Sequence, residues 1–367
     1  MKNIKLLLLA VILLSGCATT RTLENENLKI NYLDDFVLKQ GLEVDGSKVG
    51  GLSGIDFHEN IYYLVADQAS NPRIYKAEIP LINRSIDTVI ISEMIQLDKE
   101  DAFYRESTPD LEAIRFNAET EEIVISSEGA IQNGKAPALF RISKEGEYLS
   151  HYELPDYFNA SGIQKPRNNG VFEGLAESTD GTGYWVAMEL PLENDGPKPK
   201  IYPTKSPVRI TKFNKESQKA ESQFAYMLDG ISKFPINWFA VNGVTELLEY
   251  ADNKFLILER AYSAGYGSNG NTIKIFEVDA SNTTNTLQLK NLRETDFIPA
   301  EKKLVFDFKS VKNFLEEQII DNIEGMSFGP VLPNGKQSLI LVSDDNFSSF
   351  GHQITQFILL EIEFKKL

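Results

Sequence analysis

Cysteine is almost missing from this chain: Cys17 is the only one among 367 residues. No disulfide can form within it, so stability must come from packing. Histidine is nearly as scarce, with His58, His151 and His352 alone, which leaves too few imidazoles for a His-rich zinc centre. Basic residues are outnumbered, 37 Lys and Arg against 53 Asp and Glu, for a formal net charge of −16. That balance argues against nucleic acid as a partner. Long apolar runs are lacking too. The run from Leu6 to Leu14 is about half of the roughly 20 residues that a membrane-crossing helix needs. It follows Lys2 and Lys5 and ends in Leu14-Ser15-Gly16-Cys17, the arrangement of a bacterial lipoprotein signal. The expectation is a signal segment over 1–17, a lipid on Cys17 as the membrane contact, a flexible tether over 18–28 and a folded domain over 29–367. The protein is then expected at the cell envelope, and Ala18 after the cysteine favours the outer membrane.

Helical periodicity is scarce as well, the best stretch being Ser310 to Ile320, which reads as a short surface helix. What is present instead is a repeat. Five short apolar patterns open with Ser53, Glu112, Glu173, Glu246 and Glu324, and each meets an acidic partner 13 to 20 positions later, at Asp67, Glu128, Glu189, Glu259 and Asp344. The stretches between them, such as Ile61-Tyr62-Tyr63-Leu64-Val65 and Leu339-Ile340-Leu341-Val342, have the β-branched and aromatic content of strands. An alternating strand follows each partner, for example Ile273-Lys274-Ile275-Phe276-Glu277-Val278, and a further one follows in several units. About four strands per unit without helices predict an all-β fold, a β-propeller of five or six four-stranded blades. The segment Ile30 to Leu38 is expected to close the ring. A degenerate sixth blade has room in Glu78 to Asp98 or Asp279 to Phe297, and the extra length per repeat is expected in loops at Leu190 to Pro207 and Ser263 to Asn271.

Several segments resemble the phytase-like family of bacterial propeller proteins, described as having esterase-like activity of phytase. They are Gly50-Gly51-Leu52-Ser53-Gly54-Ile55 with Asp67 and Arg73, Asp110-Leu111-Glu112-Ala113-Ile114, Asn168-Asn169-Gly170-Val171-Phe172-Glu173-Gly174-Leu175, Leu256-Ile257-Leu258-Glu259-Arg260, and Asn322-Ile323-Glu324-Gly325-Met326 leading to Ser343-Asp344-Asp345-Asn346-Phe347. The resemblance implies hydrolysis of phosphate or carboxylate esters, and it assigns no catalytic residue.

In a propeller, equivalent repeat positions converge on one mouth. Glu112, Glu173, Glu246 and Glu324 are therefore expected to form a ring, with Asp344 and Asp345 the densest oxygen cluster beside it. Crowded carboxylates raise one another's pKa unless a cation intervenes, and hard oxygen donors suit Ca²⁺ or Mg²⁺, so calcium is the expected cofactor. The alternative use of the same acids is to accept backbone N–H groups and staple the blades. Arg73 and Arg260 are candidates to hold an anionic ester, as are Lys165 and Arg167 in a basic loop, although pairing with neighbouring acids would equally occupy them. Gly325-Met326-Ser327-Phe328-Gly329 fits a nucleophile-elbow pattern, but Pro330 and Pro333-Asn334-Gly335 follow where that motif needs a helix. A divalent-metal esterase acting on small anionic esters is the leading expectation, and a non-catalytic ligand- or partner-binding propeller the alternative.

Overall fold

The second strand of every repeat is apolar on both faces because both faces are covered. The computed structural model describes residues 28–162, 164–348 and 352–364. In it, alternate side chains of Ile61–Ala66 enter different cores, Tyr62, Leu64 and Ala66 one and Tyr63 and Val65 the other. Gln337–Asp344 does the same, with Leu339 and Leu341 on one side and Ile340 and Val342 on the other. A strand with one wet face would alternate polar and apolar residues. Here sheet packs on sheet around a closed circle.

Five four-stranded antiparallel sheets make that circle. Blade 1 comprises Leu52–His58, Ile61–Ala66, Arg73–Glu78 and Ile90–Gln96, and blade 2 Leu111–Asn117, Glu122–Ser127, Ala138–Ser143 and Tyr148–His151. Blade 3 comprises Phe172–Glu177, Gly183–Met188, Pro207–Asn214 and Ala220–Met227, and blade 4 Ala240–Ala251, Lys254–Ser263, Asn271–Asp279 and Glu301–Asp307. Blade 5 takes Asn322–Val331, Gln337–Asp344 and Gln356–Phe364 from the end of the chain and Leu28–Val37 from its beginning. The pairing of Leu28 with Phe364 through Val37 with Gln356 closes the ring as expected. This strand starts one residue before the expected domain boundary.

The blade count is five, within the expected five or six, and one expectation, the helix, is corrected. There is no sixth blade among the described residues: Glu78 to Asp98 supplies the fourth strand of blade 1 plus a small hairpin, Leu81–Ile82 with Ser85–Ile86, and Asp279 to Phe297 is a loop inside blade 4. The expected helix over Ser310 to Ile320 is instead a pair of 3₁₀ turns, Phe308–Ser310 and Lys312–Phe314. Asp307 caps the first by accepting from Lys309 N, and Gln318 takes a φ of 52°, outside the helical region. Its apolar residues Leu315, Ile319 and Ile320 are buried all the same.

Each innermost strand carries a bulge at one place. Register slips between Leu52 and Gly54, Leu111 and Ile114, Phe172 and Leu175, Val244 and Glu246, and Ile323 and Gly325. The extra residue leaves the ladder and is re-aimed; it is Ser53, Glu112, Glu173, Thr245 and Glu324 in turn. The next position is small in four blades because the neighbouring backbone is so near. A Cβ on Gly54 would lie 2.5 Å from Glu112 O, and one on Gly174 2.9 Å from Glu246 Cα.

Blade 4 alone places a large residue there, Glu246, and it points at Arg115 of blade 2. Their N···O separation is 3.0 Å, and both side chains are buried. Arg115 donates to the carbonyls of Ile55, Ile114, Leu247 and Met326, and Glu246 accepts from the N–H groups of Leu175 and Leu247 at 2.9 Å each. One ion pair thus touches all five blades. Arg115→Met should cost about 3–5 kcal/mol, since it strands a buried carboxylate, and adding Glu246→Gln should recover part of that. Urea unfolding of both variants checks this; a single variant as stable as the parent would show that the pair does not hold the centre.

Candidate functional site

The bulge residues face one end of the axis, and the residues that close each second strand face the same end. Pairing sets these closing residues: Asp67 N bonds Gly51 O at 2.7 Å, Glu128 N bonds Asp110 O at 3.1 Å and Glu189 N bonds Val171 O at 2.7 Å, while Arg260 pairs with Gly243 and Asp344 with Asn322. Blade 4 again departs from the others. Its bulge residue is Thr245, where Glu246 was expected, and its closing residue is Arg260, where Glu259 was expected. Glu259 lies on the other face of its strand, accepting from Tyr226 Oη at 2.6 Å and Asn242 Nδ2 at 2.7 Å and pairing with Lys302 at 2.7 Å.

The mouth therefore gathers Glu112, Glu173, Glu324, Asp67, Glu128, Glu189 and Asp344, joined by Asp110 from the start of blade 2. Carboxylate oxygens of Asp67, Asp110 and Glu112 all lie within 4.8 Å of one another, as do those of Glu112, Glu128 and Glu173. Arg260 faces them, 3.4 Å from Glu189 and 3.2 Å from Glu324. Glu128 is partly stapled, accepting from Gly170 N at 2.7 Å and Val171 N at 2.8 Å. Asn322 Nδ2 bonds Glu324 at 3.0 Å and Asp344 at 3.3 Å. Among the described residues no backbone N–H bonds the side chain of Asp67, Asp110, Glu112 or Glu173, and Glu189 Oε2 and Thr245 Oγ1 are buried without a partner.

Burial dominates the electrostatics and disfavours every charge here. It raises Asp67, Glu112, Glu173 and Asp344 well above the usual carboxylate range, with neighbouring carboxylates adding to the effect. Burial also pushes Glu128 and Glu324 up to about 7, against the stapling bonds of the first and the Arg260 charge beside the second. Burial pulls Arg260 down, but the carboxylates of Glu324, Glu189, Glu173 and Asp344 outweigh it and raise the guanidinium. Glu189 is raised by burial and moderated by Arg260 and by Lys198, which comes from the long loop after blade 3's second strand.

Other expected site residues lie elsewhere. Arg73 is spent on structure: it donates to Tyr75 Oη at 2.7 Å, Gln68 Oε1 at 2.6 Å, Asn71 O at 2.7 Å and Lys48 O at 3.0 Å. Arg167 donates to Pro191 O and Gly196 O, pinning that loop, and Lys165 is half-buried in the preceding turn. Asp345 accepts from Gly51 N at 2.8 Å and Phe347 N at 3.0 Å, stapling blade 5 to blade 1. Ser53 staples too, donating to Leu111 O. Ser327 sits inside a strand and bonds Phe328 O and Asp56, not a histidine. Cys17 lies outside the described residues. Residues not anticipated are Asp110, Asn322, Thr245 and Lys198. Asp110 and Asn322 stand two before a bulge glutamate, a spacing that puts both on one side of a strand.

A family model described as phytase-like, esterase-like activity of phytase, matches residues 47–347, and the chain belongs to that family. No curated protein matches it in sequence. Among solved structures it is similar to an exo-β-1,3-galactanase from Clostridium thermocellum, at 11% identity and a TM-score of 0.49 over 90% of this chain and 63% of that one. It is similar also to a GH43_12 protein retrieved from capybara gut metagenome, at 11% identity and a TM-score of 0.42 over 84% of this chain, and it spans about half, 51%, of that protein's length. A member of the duf4221 family from Bacteroides vulgatus is similar at 9% identity and a TM-score of 0.40 over 92% and 99% of the two chains.

The raised carboxyls make a prediction about stability. An acid whose folded pKa exceeds its unfolded value binds protons more tightly when folded, so its favourable contribution is present at low pH and is lost as pH climbs from the ordinary carboxylate range towards 7. With Glu128 and Glu324 at about 7, Tm in chelator should fall by roughly 5–10 °C between pH 5.5 and pH 8. Scanning fluorimetry reads this directly, and a Tm that holds or climbs over that interval contradicts it.

Proposed function

We propose that this member of the phytase-like family hydrolyses a small anionic ester, phosphate or carboxylate, with the help of a divalent cation held in the acidic mouth. The observation that carries the reading is the crowding of carboxylates into two triads close enough to hold an ion, Asp67 with Asp110 and Glu112 and Glu112 with Glu128 and Glu173, opposite the guanidinium of Arg260. These donors are hard oxygens, as Ca²⁺ or Mg²⁺ require, and among the described residues no Cys or His joins either triad to favour zinc. A bound divalent ion would offset the ester's negative charge and make water a better nucleophile.

The chain's own contribution is to bind and orient. Arg260 is the guanidinium of the mouth, and among the described residues its buried Nε has no acceptor, so a donor stands ready for an ester oxygen. Glu324, at 3.2 Å from that guanidinium, is positioned to exchange a proton with water beside an ester held there. Arg73 has no part in this scheme, because its guanidinium is engaged internally. A covalent serine route is not supported by the strand setting of Ser327. Envelope anchoring through Cys17 is compatible with access to the mouth: Leu28 enters blade 5 at the end opposite the mouth, since Val37 is the residue paired near the loop after Asp344.

A panel of p-nitrophenyl phosphate and carboxylate esters, assayed in Ca²⁺ and in EDTA, tests the reading. Turnover should drop at least tenfold in chelator, and Arg260→Met should lower kcat/KM by roughly 10- to 100-fold, the worth of a charge-assisted hydrogen bond. Undiminished turnover in EDTA removes the metal step. Ester binding without any turnover would identify a binding module instead.

A further inference from the structure

We propose that the ester taken by the mouth is amphiphilic, its polar end at Arg260 and an extended apolar group laid over an aromatic rim on blade 4; this rests on the reading above that the mouth holds an ester. The rim is formed by residues 234–239, which lead into the first strand of blade 4. Phe234, Ile236, Trp238 and Phe239 are exposed by 59%, 60%, 87% and 58%. Trp238 lies edge-on to Phe234, with ring centroids 6.2 Å apart. Single exposed apolar side chains are ordinary on a protein surface, but four within six consecutive residues make a patch, and patches mark contact with another molecule.

The patch is held in place by its neighbours. Ile236 N donates to Ala264 O and Ala264 N to Phe239 O, each at 2.9 Å, which ties the segment to the turn after blade 4's second strand. Tyr266 Oη donates to Phe234 O at 2.8 Å, and the Lys233 ammonium is engaged by Asn269 O at 2.6 Å and Asn271 O at 2.8 Å. Gly265 makes room for the contact, since a Cβ there would lie 2.4 Å from Ile236 Cβ. Trp238 takes a φ of 59°, a left-handed conformation that is costly for a bulky side chain. The packing of the fold gains nothing from an indole presented to water in a strained conformation, and residues of that kind gather at ligand sites.

Strand geometry joins this rim to the mouth. Arg260 and Tyr262 stand two apart on blade 4's second strand, so their side chains leave the same face, and both keep partial exposure where Ala261 and Ser263 are buried. Tyr262 packs on Phe239, with ring centroids 6.2 Å apart, and Ser263 pairs with Ala240, the residue after Phe239. From the guanidinium to the rim is thus a strand end of three residues, about 10 Å at the usual rise, with an aromatic ring along it. The chemistry of the rim selects its occupant. A sugar would need hydrogen-bonding side chains beside the rings, and Asn237 is the one such residue between Phe234 and Phe239; an alkyl or aryl group needs only apolar area.

Octyl phosphate and ethyl phosphate, both kept below micelle-forming concentrations, separate the two ends of the ligand. Trp238 reports on the apolar end, since the only other tryptophan, Trp185, is buried. Octyl phosphate should move the emission of the full chain to shorter wavelength and bind at least tenfold more tightly than ethyl phosphate, a factor that about two buried methylenes supply. The emission shift should vanish in Trp238→Phe. Calorimetry on Trp238→Ser combined with Phe239→Ser, both at exposed positions, should find the two affinities brought together. In the parent chain kcat/KM should follow the same order, octyl over ethyl phosphate and p-nitrophenyl octanoate over the acetate. Ester turnover with no preference for the longer chain in either pair, and equal affinity for the two phosphates, overturns the apolar subsite and leaves the hydrolytic reading standing. Octyl phosphate bound with the emission shift, and no ester hydrolysed, overturns the hydrolytic reading and leaves the subsite. A shift with phosphatidylcholine vesicles and none with octyl phosphate makes the rim a membrane contact and overturns the substrate assignment.

Discussion

Five sheets can share one axis only if the backbone groups that the bulges free at its centre find partners, and in this protein Arg115 and Glu246 supply them. A bulged strand has broken its ladder, and its unpaired carbonyls and amides are far from water. The guanidinium collects carbonyls from blades 1, 2, 4 and 5, and the carboxylate collects amides from blades 3 and 4. Each charge compensates the other, so neither is left bare in a space where bare charge is costly. Because the partners come from blades that are not neighbours in the ring, the pair exists only when the circle has closed.

The composition of the mouth follows from that choice. Blade 4 gives its glutamate to the axis, and so its bulge position holds Thr245; its second strand gives Glu259 to the contact with Tyr226, Asn242 and Lys302, and so Arg260 turns inward. A ring with an acid at every position would carry no internal cation. The departure in one blade makes the mouth polar, acids over blades 1 to 3 and a guanidinium between Glu189 and Glu324. The acids that remain are raised in pKa and weakly bonded to the protein, which is a cost to folding. Sites that oppose the stability of their own scaffold in this way are where function concentrates.

The sequence by itself determined the number of strands per repeat, the closing role of the first strand and the membership of Glu112, Glu173 and Glu324 in one ring, because apolar runs and recurrent acids are local signals that every blade repeats. The irregular blade carries a local mark as well. Glu112, Glu173 and Glu324 are followed by Ala113, Gly174 and Gly325 and then by Ile114, Leu175 and Met326, whereas Glu246 is followed directly by Leu247; aligned on that apolar residue, Thr245 takes the ring position and Glu246 the small one. Only the tertiary structure decided that offset, since side chains alternate faces along a strand and a slip of one residue reverses which side each one serves. It decided too that Arg73 is held by Tyr75, Gln68 and Lys48 while Arg260 turns into the mouth between Glu189 and Glu324, and that Asp110 and Asn322 reach the mouth. Whether a charged group is bonded into its own blade or turned into the mouth depends on neighbours from distant blades, and those neighbours exist only once the ring is closed.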